Sequence, residues 1–560
     1  MKSIFKISLI FGTAMIIFGC NKLISNKSTL TGFVFNDKKY GNFTRGNSKN
    51  IQKPPLGMVL VEGGAFTMGQ LENNVMFDWN ATPKKMQVNS FFIDEAEVTN
   101  AEYSLYVQYI KNVFPPSEKI NKHIYSSVLP DTLSWGGTLT NPGTLHEEYF
   151  RNPAYADYPV VGVSWLQAND YCKWRTNLVN LKILIEKGHI KNIFEKDSIS
   201  NLFDTELFLA NNALLFNRDS TIYKKGVPVR DSRKRRDVRN KNSTFKGRKI
   251  SKGDGILMHR FRLPTEAEWE FAAKFNVQDR EYNIIRGRKK YPWNEKYTRS
   301  SNKKNKGDQL ANFKQGRGNY SGISGWSSDG AAITNKVKSY EPNGFGLYDM
   351  AGNVAEWVAD IYRPIINNQA SDFNYFRGNI FNKKMIDSDG NLVYSATDEN
   401  EAIIYDTLPN GKIRPRDFPG LIKVIPITKN DAIYRANYAI YNNTNISDGD
   451  IGSSLFFEDD ENQSNLKSMY NSPKPLSIKR DTLTGKEILV IDDKKRTTLI
   501  SDETRVYKGG SWADRVYWLD PAQRRYLPQY MSTNFIGFRC VADKLGPMSD
   551  KKRTSRTSPR

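Results

Sequence analysis

The chain has 560 residues, 39% of them hydrophobic, and carries 82 lysines and arginines against 60 acids, a formal charge of +22. That length and apolar content allow a sizeable core and exclude wholesale disorder. Three cysteines are too few for a disulfide-rich scaffold, and the charge alone selects no partner: it would suit nucleic acid in a cytosolic chain, but anionic lipid, envelope polymers or acidic proteins in an exported one.

In chain order, Lys2 and Lys6 give a positive start, and residues 7–18 form an apolar run too short for an ordinary spanning helix. Ile17-Phe18-Gly19-Cys20 then resembles a bacterial lipobox. Residues 1–19 are therefore expected to be a lipoprotein signal peptide and Cys20 the lipidated residue; an ordinary signal peptide or a short anchor is the alternative. No later stretch reaches the ~18 apolar residues that a transmembrane helix needs. Residues 20–53, rich in Asn, Lys, Ser and Gly, read as a tether interrupted by the aromatic segment TGFVFNDKKYGNF at 31–43.

Alternating apolar residues about a Gly-Gly pair at 57–69 predict two short strands and a turn. Three capping boxes predict helix starts: Thr99 with Glu102, Ser164 with Gln167, and Thr265 with Glu268. Tyr103, Tyr106, Val107 and Ile110 mark one face of the first helix, and Ala168, Tyr171, Cys172 and Arg175 one face of the second. Two long segments, 181–257 and 361–500, separate these motifs. The first holds the basic run at 230–252 and the second the acidic knot Glu458-Asp459-Asp460-Glu461. Loops of that length rarely lack structure inside a domain, so both are expected to carry elements of their own and to offer partner surface, with solvated decoration as the bland alternative. Residues 546–560 are basic, lack an apolar anchor and read as a disordered tail.

RLPTEAEWEFAA at 262–273, NGFGLYDMAGNVAEW at 343–357 and KGGSW with GFRCVAD across 508–543 resemble, in that order, the formylglycine-generating enzyme or sulfatase-modifying factor family. The resemblance implies an α+β, loop-rich fold, a variant of the C-type-lectin type, with residues 54–545 as one domain enlarged by the two insertions. In that family the segment after Gly-Gly-Ser carries two cysteines that bind copper and oxidise a substrate cysteine. Here Asp514 and Leu519 stand where those cysteines would fall, and neither can supply a thiolate. The expectation is a non-catalytic member with no copper.

Removing Cys20 leaves Cys172 and Cys540, and the resemblance supports a disulfide between them; two buried free thiols are the alternative. It also implies structural calcium. One site would use the side chains of Asp349 and Glu356 with the carbonyls of Gly352 and Val354, and another the side chains of Asn312 and Asp329 with the carbonyls of Phe313 and Ala331. Against these, the polar residues could merely satisfy turn amides. Histidine chemistry is weakly supported: His123, His146, His189 and His259 show no i, i+4 pair, and Glu266, Glu268 and Glu270 suit a helix dipole and cap better than acid–base work.

Among lipidated members of the family, the layout resembles the gliding-motility lipoproteins of Bacteroidetes. That implies a lipid-anchored outer-membrane protein, facing the periplasm, whose partners are other envelope proteins of the gliding and type IX secretion machinery and not nucleic acid. An alternative is a glycan- or peptidoglycan-binding module, which would need an exposed aromatic shelf from Trp326, Trp512 or Trp518. An active formylglycine-generating oxidase would need the missing cysteines.

Overall fold

The computed structural model describes residues 31–34, 39, 54–70, 81–136 (less 82, 119 and 120), 145–195, 203–211, 215, 222–227, 248–274, 290–315 (less 294 and 296), 329–362, 382–395 (less 390), 403–426 and 503–545, with the backbone of 476–480 and 487–491. Cys20, most of the 31–43 segment, most of the basic run, the acidic knot, Trp326 and the tail lie outside the described residues. Among the described residues no helix is long and apolar enough to cross a membrane.

The chain divides into two compact units. The smaller takes residues up to Ile51 with Asn180–Lys196 and Leu209–Met258, and the larger takes Gln52–Val179, Asp197–Phe208 and His259–Arg560. Where one enlarged domain was expected, the first insertion therefore contributes mostly to a separate unit, while its residues 197–208 go with the larger one. In the smaller unit, bridges Ile190 to Tyr223 and Val227 to Arg248 organise the chain, and Arg248 pairs with Asp254.

The larger unit opens with strands β1 (Met58–Val61), β2 (Gly64–Met68), β3 (Lys84–Val88) and β4 (Phe91–Asp94). Helices α1 (Asn100–Val113), α2 (Ile124–Val128), α3 (Leu145–Glu148), α4 (Trp165–Glu186) and α5 (Thr205–Asn211) follow, α4 and α5 each running on into the smaller unit. Next come β5 (Phe261–Arg262), α6 (Glu266–Lys274) and β6 (Ala355–Ile361). The second insertion supplies β7 (Asn382–Lys384), β8 (Tyr405–Thr407), β9 (Ile413–Pro415), β10 (Val424–Pro426), β11 (Leu476–Arg480) and β12 (Glu487–Ile491), paired as three two-stranded ribbons. Strands β13 (Thr504–Lys508), β14 (Arg525–Pro528), β15 (Ile536–Gly537) and β16 (Val541–Asp543) complete the order.

All three capping boxes form. Thr99 and Glu102 exchange side-chain-to-backbone bonds, as do Ser164 with Gln167 and Thr265 with Glu268. Each box satisfies two N–H groups that a helix start leaves unpaired. The two predicted glycine-flanked strands also form, but they belong to different sheets: β1 pairs with β4 and β2 with β3. Gly63 permits the split, because a Cβ there would lie 2.3 Å from the Val88 carbonyl.

Two four-stranded sheets, ordered β1-β4-β16-β5 and β14-β13-β6-β15, carry the body. Successive side chains on a strand point to opposite faces. Phe92 and Ala542 accordingly enter one core with α1 and α4, whereas Phe91, Ile93 and Val541 enter another with Trp269 and Phe271 of α6. The second sheet does the same with Trp357 and Tyr507 on one face and Val358 and Val506 on the other. Being covered on both faces explains why β4 and β6 are buried at every position. In the first core Tyr103 stacks on Tyr171 at 5.6 Å, and both meet Phe538 edge-on.

Candidate functional site

Strand β13 delivers Lys508 into the turn that the sequence singled out. Gly509 and Gly510 have φ of +98° and +68°, a region that strains any residue with a Cβ. Space also demands them: a Cβ on Gly509 would press on the Trp269 ring at 3.0 Å, and one on Gly510 would lie 2.8 Å from the Trp518 carbonyl. Beyond the turn, Ser511 donates to Asp514 at 2.5 Å, and Asp514 accepts both guanidinium nitrogens of Arg525 at 2.5 and 2.6 Å. Arg525 in turn lies over the rings of Tyr507 and Trp518. Leu519 is fully buried with Tyr291, Ala311, Phe313 and Ala351. One position is thus a carboxylate held by an arginine and the other a packed hydrocarbon. Copper(I) takes soft sulfur donors, so these residues do not fit it.

The two cysteines other than Cys20 meet elsewhere. Cys172 on α4 and Cys540 just before β16 are both buried, with sulfurs 3.4 Å apart. They stand as free thiols in this structure, which brings together the two residues expected to pair.

The loop before β6 gathers the residues expected to hold calcium. Asp349 and Asn353 take positive φ of 56° and 59°, with Gly352 at 81°; a Cβ on Gly352 would lie 2.4 Å from the Asn312 carbonyl. Asn353 ties the two expected sites together, donating its backbone N–H to the Asn312 carbonyl at 2.9 Å and its amide to Glu97 at 2.7 Å. The Val354 N–H donates to the other Glu97 oxygen. One oxygen of Asp349 accepts from Lys338 N–H, and the other is buried with no partner. Burial raises this carboxyl to about 6, and the negative Glu356 adds to the rise. Burial also pushes Glu97 well above the carboxylate range, with Asp349 and Glu356 contributing. The chemistry of the Asp349 carboxyl would fit a cation beside it. Glu356 differs: Arg539 takes both its oxygens at 2.6 and 2.7 Å, and the Trp269 indole donates to it at 2.8 Å. At the second site Asp329 accepts the N–H groups of Phe313 and Ala331, each at 3.3 Å, which brings three of the four named residues together. The fourth, Asn312, adjoins Phe313 and donates to the Ile333 carbonyl. Among the described residues no three of His, Cys, Asp and Glu are grouped to hold a metal, so any calcium here would rest largely on amide and backbone oxygens.

Sequence reasoning missed a buried ionic network on α6. Glu268 does serve the cap, as expected, and it also pairs with Arg262. Glu266 and Glu270 instead point inward: Lys508 bridges them at 3.1 and 2.9 Å, Arg524 adds a bond to Glu266 and Lys274 one to Glu270. Burial alone would raise the Glu270 carboxyl, but the ammonium groups of Lys274 and Lys508 outweigh it and hold it at about 2. The available signal was the i, i+4 spacing of Glu266, Glu270 and Lys274, which puts all three on one helical face. The histidines sit apart from this network: His123 meets the Tyr405 ring, His146 lies beside Glu147, His189 meets the Lys225 carbonyl and His259 lies beside Asp543. Of the possible aromatic shelves, Trp512 is buried and stacked on Trp135, and Trp518 lies against Arg525.

A family model, the sulfatase-modifying factor enzyme 1-like domain, matches residues 44–402. The formylglycine-generating enzyme of Bos taurus is 21% identical over 323 residues, covering 55% of this chain and 58% of that protein. The enzyme of that name from Streptomyces coelicolor is 39% identical over 103 residues, 18% of this chain and 27% of the other. The chain thus spans less than two thirds of the length of these curated relatives. Among solved structures, PvdO from Pseudomonas aeruginosa aligns over 87% of this chain and 94% of its own, at 14% identity and a TM-score of 0.35.

Proposed function

This chain belongs to the sulfatase-modifying factor family, and we propose that it is a non-catalytic member that works by binding, tethered by lipid at Cys20. The observation that carries the reading is the pair Asp514 and Leu519. The first is locked to Arg525 and the second is built into a core, at the two places where the family resemblance puts copper-binding cysteines. A centre without thiolates lacks both the soft copper(I) ligands and the redox group that the family resemblance implies. Purified protein should leave a sulfatase-derived cysteine peptide unchanged with copper and oxygen supplied. Conversion of that peptide to formylglycine would end the proposal.

The finer reading is a docking component of the gliding-motility and type IX secretion machinery, anchored in the outer membrane and facing the periplasm. Its support is the sequence layout, which resembles the lipoprotein GldJ: the lipobox, the 31–43 segment, the length, the two insertions and the basic tail. Several acyl chains on Cys20 would exceed the marginal membrane hold of a single chain. Affinity capture from detergent-solubilised envelopes should return other components of that machinery, and a deletion strain should lose surface spreading. A deletion strain that spreads normally would overturn this assignment while leaving the non-catalytic reading intact. Calcium is proposed as a structural ion beside Asp349, on the strength of its buried, unpartnered oxygen.

A further inference from the structure

The smaller unit carries charge of mostly one sign. Its described residues include nine basic residues against three acidic ones. Two of those acids are engaged by neighbours: Asp254 pairs with Arg248, and Glu186 with Lys182 at 3.7 Å. Lys187, Lys191, Lys224, Lys225 and Lys249 are all exposed, and among the described residues no carboxylate pairs with any of them.

Backbone pairing holds these lysines close together. The bridge between Ile190 and Tyr223 buries both of those side chains. It is framed by the Lys191 N–H donating to the Ile222 carbonyl and the Lys224 N–H to the His189 carbonyl, each at 2.9 Å. The Lys225 stem passes Gly188, where a Cβ would lie 3.9 Å from its Cε, and Gly188 adjoins Lys187. Two residues beyond Lys225, Val227 exchanges both backbone bonds with Arg248, which sets Lys249 beside the same segment. Lysines gathered in this way repel one another, and an anionic surface relieves that repulsion. An apolar ring follows Lys191 closely: Phe194 is 47% exposed, in a turn fixed by its N–H donating to Asn192 Oδ1 at 3.2 Å.

We propose that this lysine-bearing surface of the smaller unit rests on the anionic headgroups of a membrane, with the Phe194 ring entering the headgroup boundary. Lysines that attract anionic lipid, beside an aromatic ring that gains by leaving water, are the two parts of interfacial binding. An acidic protein would also attract the lysines. A membrane is favoured because the same unit takes the N-terminal residues up to Ile51, and that choice rests on the proposed acylation of Cys20. An acyl anchor and a basic surface on one unit then act together, since the first keeps the second at high local concentration beside the lipid.

The test uses the full-length chain with Cys20→Ser, so that no acyl chain contributes, and vesicles of phosphatidylcholine with or without about 30% phosphatidylglycerol. Co-sedimentation should favour the anionic vesicles by roughly tenfold or more, and should fall steeply between ~0.1 and ~0.5 M salt. Lys224→Gln with Lys225→Gln should weaken that binding roughly 25-fold, about fivefold for each lysine. Lys191→Gln with Lys249→Gln, on two other segments, should do the same and serves if the first variant folds poorly. Lys303→Gln with Lys304→Gln, at exposed positions of the larger unit, should leave binding unchanged. Equal binding to both kinds of vesicle would overturn the proposal. So would an equal loss in the Lys303 and Lys304 variant, which would reduce the effect to net charge. Preference for polyglutamate over anionic vesicles would overturn it in favour of an acidic protein. Mass spectrometry of Cys20 in envelope-derived protein reports separately on the acyl anchor, so failure of that reading is distinguishable from failure of this one.

Discussion

Installing the two cysteines by Asp514→Cys and Leu519→Cys tests whether these positions have become structural. Leu519 is fully buried against Tyr291, Phe313 and two alanines. Replacing it by cysteine removes roughly two methylene equivalents, and with incomplete collapse of the site the cost is ~2 kcal/mol. Asp514→Cys strands Arg525, whose side chain is 15% exposed. Breaking a fully buried pair costs about 3–5 kcal/mol, but this guanidinium keeps some solvent and the rings of Tyr507 and Trp518, which lowers the figure to ~2 kcal/mol. Together the changes remove ~4 kcal/mol from a stability typically of 5–15 kcal/mol. Urea denaturation of the parent, both single variants and the double variant should show midpoints falling in that order, and the double variant should still not oxidise a cysteine peptide. Parent-like midpoints in both single variants would refute the structural argument, and recovered oxidation would refute the functional one.

Three further outcomes follow from the same geometry. Glu270 sits at about 2 in the fold against an ordinary value near 4.5. Its folded value is depressed, so its contribution of ~3 kcal/mol is present above pH 4.5 and is lost as pH falls toward 2. Lys508→Met should cost about 3–5 kcal/mol at neutral pH and move acid unfolding to higher pH; an unchanged acid limb would count against the network. In an oxidising compartment Cys172 and Cys540 should join, closing a separation of 368 residues worth at most ~6 kcal/mol in the loop-entropy model. Mass spectrometry of alkylated, unreduced protein from envelopes should then find neither thiol labelled, and full labelling would exclude the bond. Calcium at about a hundredfold its dissociation constant should raise stability by ~2.7 kcal/mol, and Asp349→Asn should abolish most of that gain; equal melting with calcium and with chelator in the parent would remove calcium from the account.

The sequence by itself determined what depends on neighbours a few residues apart. The three capping boxes, the buried faces of α1 and α4 and the glycine turn before Ser511 are local, because each is fixed by backbone conformation or by a 3.6-residue period. The absence of cysteine at 514 and 519 was equally plain. Tertiary structure alone decided the roles of the charges. Glu266, Glu268 and Glu270 share one helix and one chemistry, yet Glu268 caps the helix while the other two enter a buried network with Lys508 and Arg524, more than 230 residues away in sequence. Whether Glu356 faces a cation or Arg539 was likewise invisible. The physical reason is that local conformation is written in adjacent residues, whereas the partner of a buried charge is whatever the packed chain brings within about 3 Å of it.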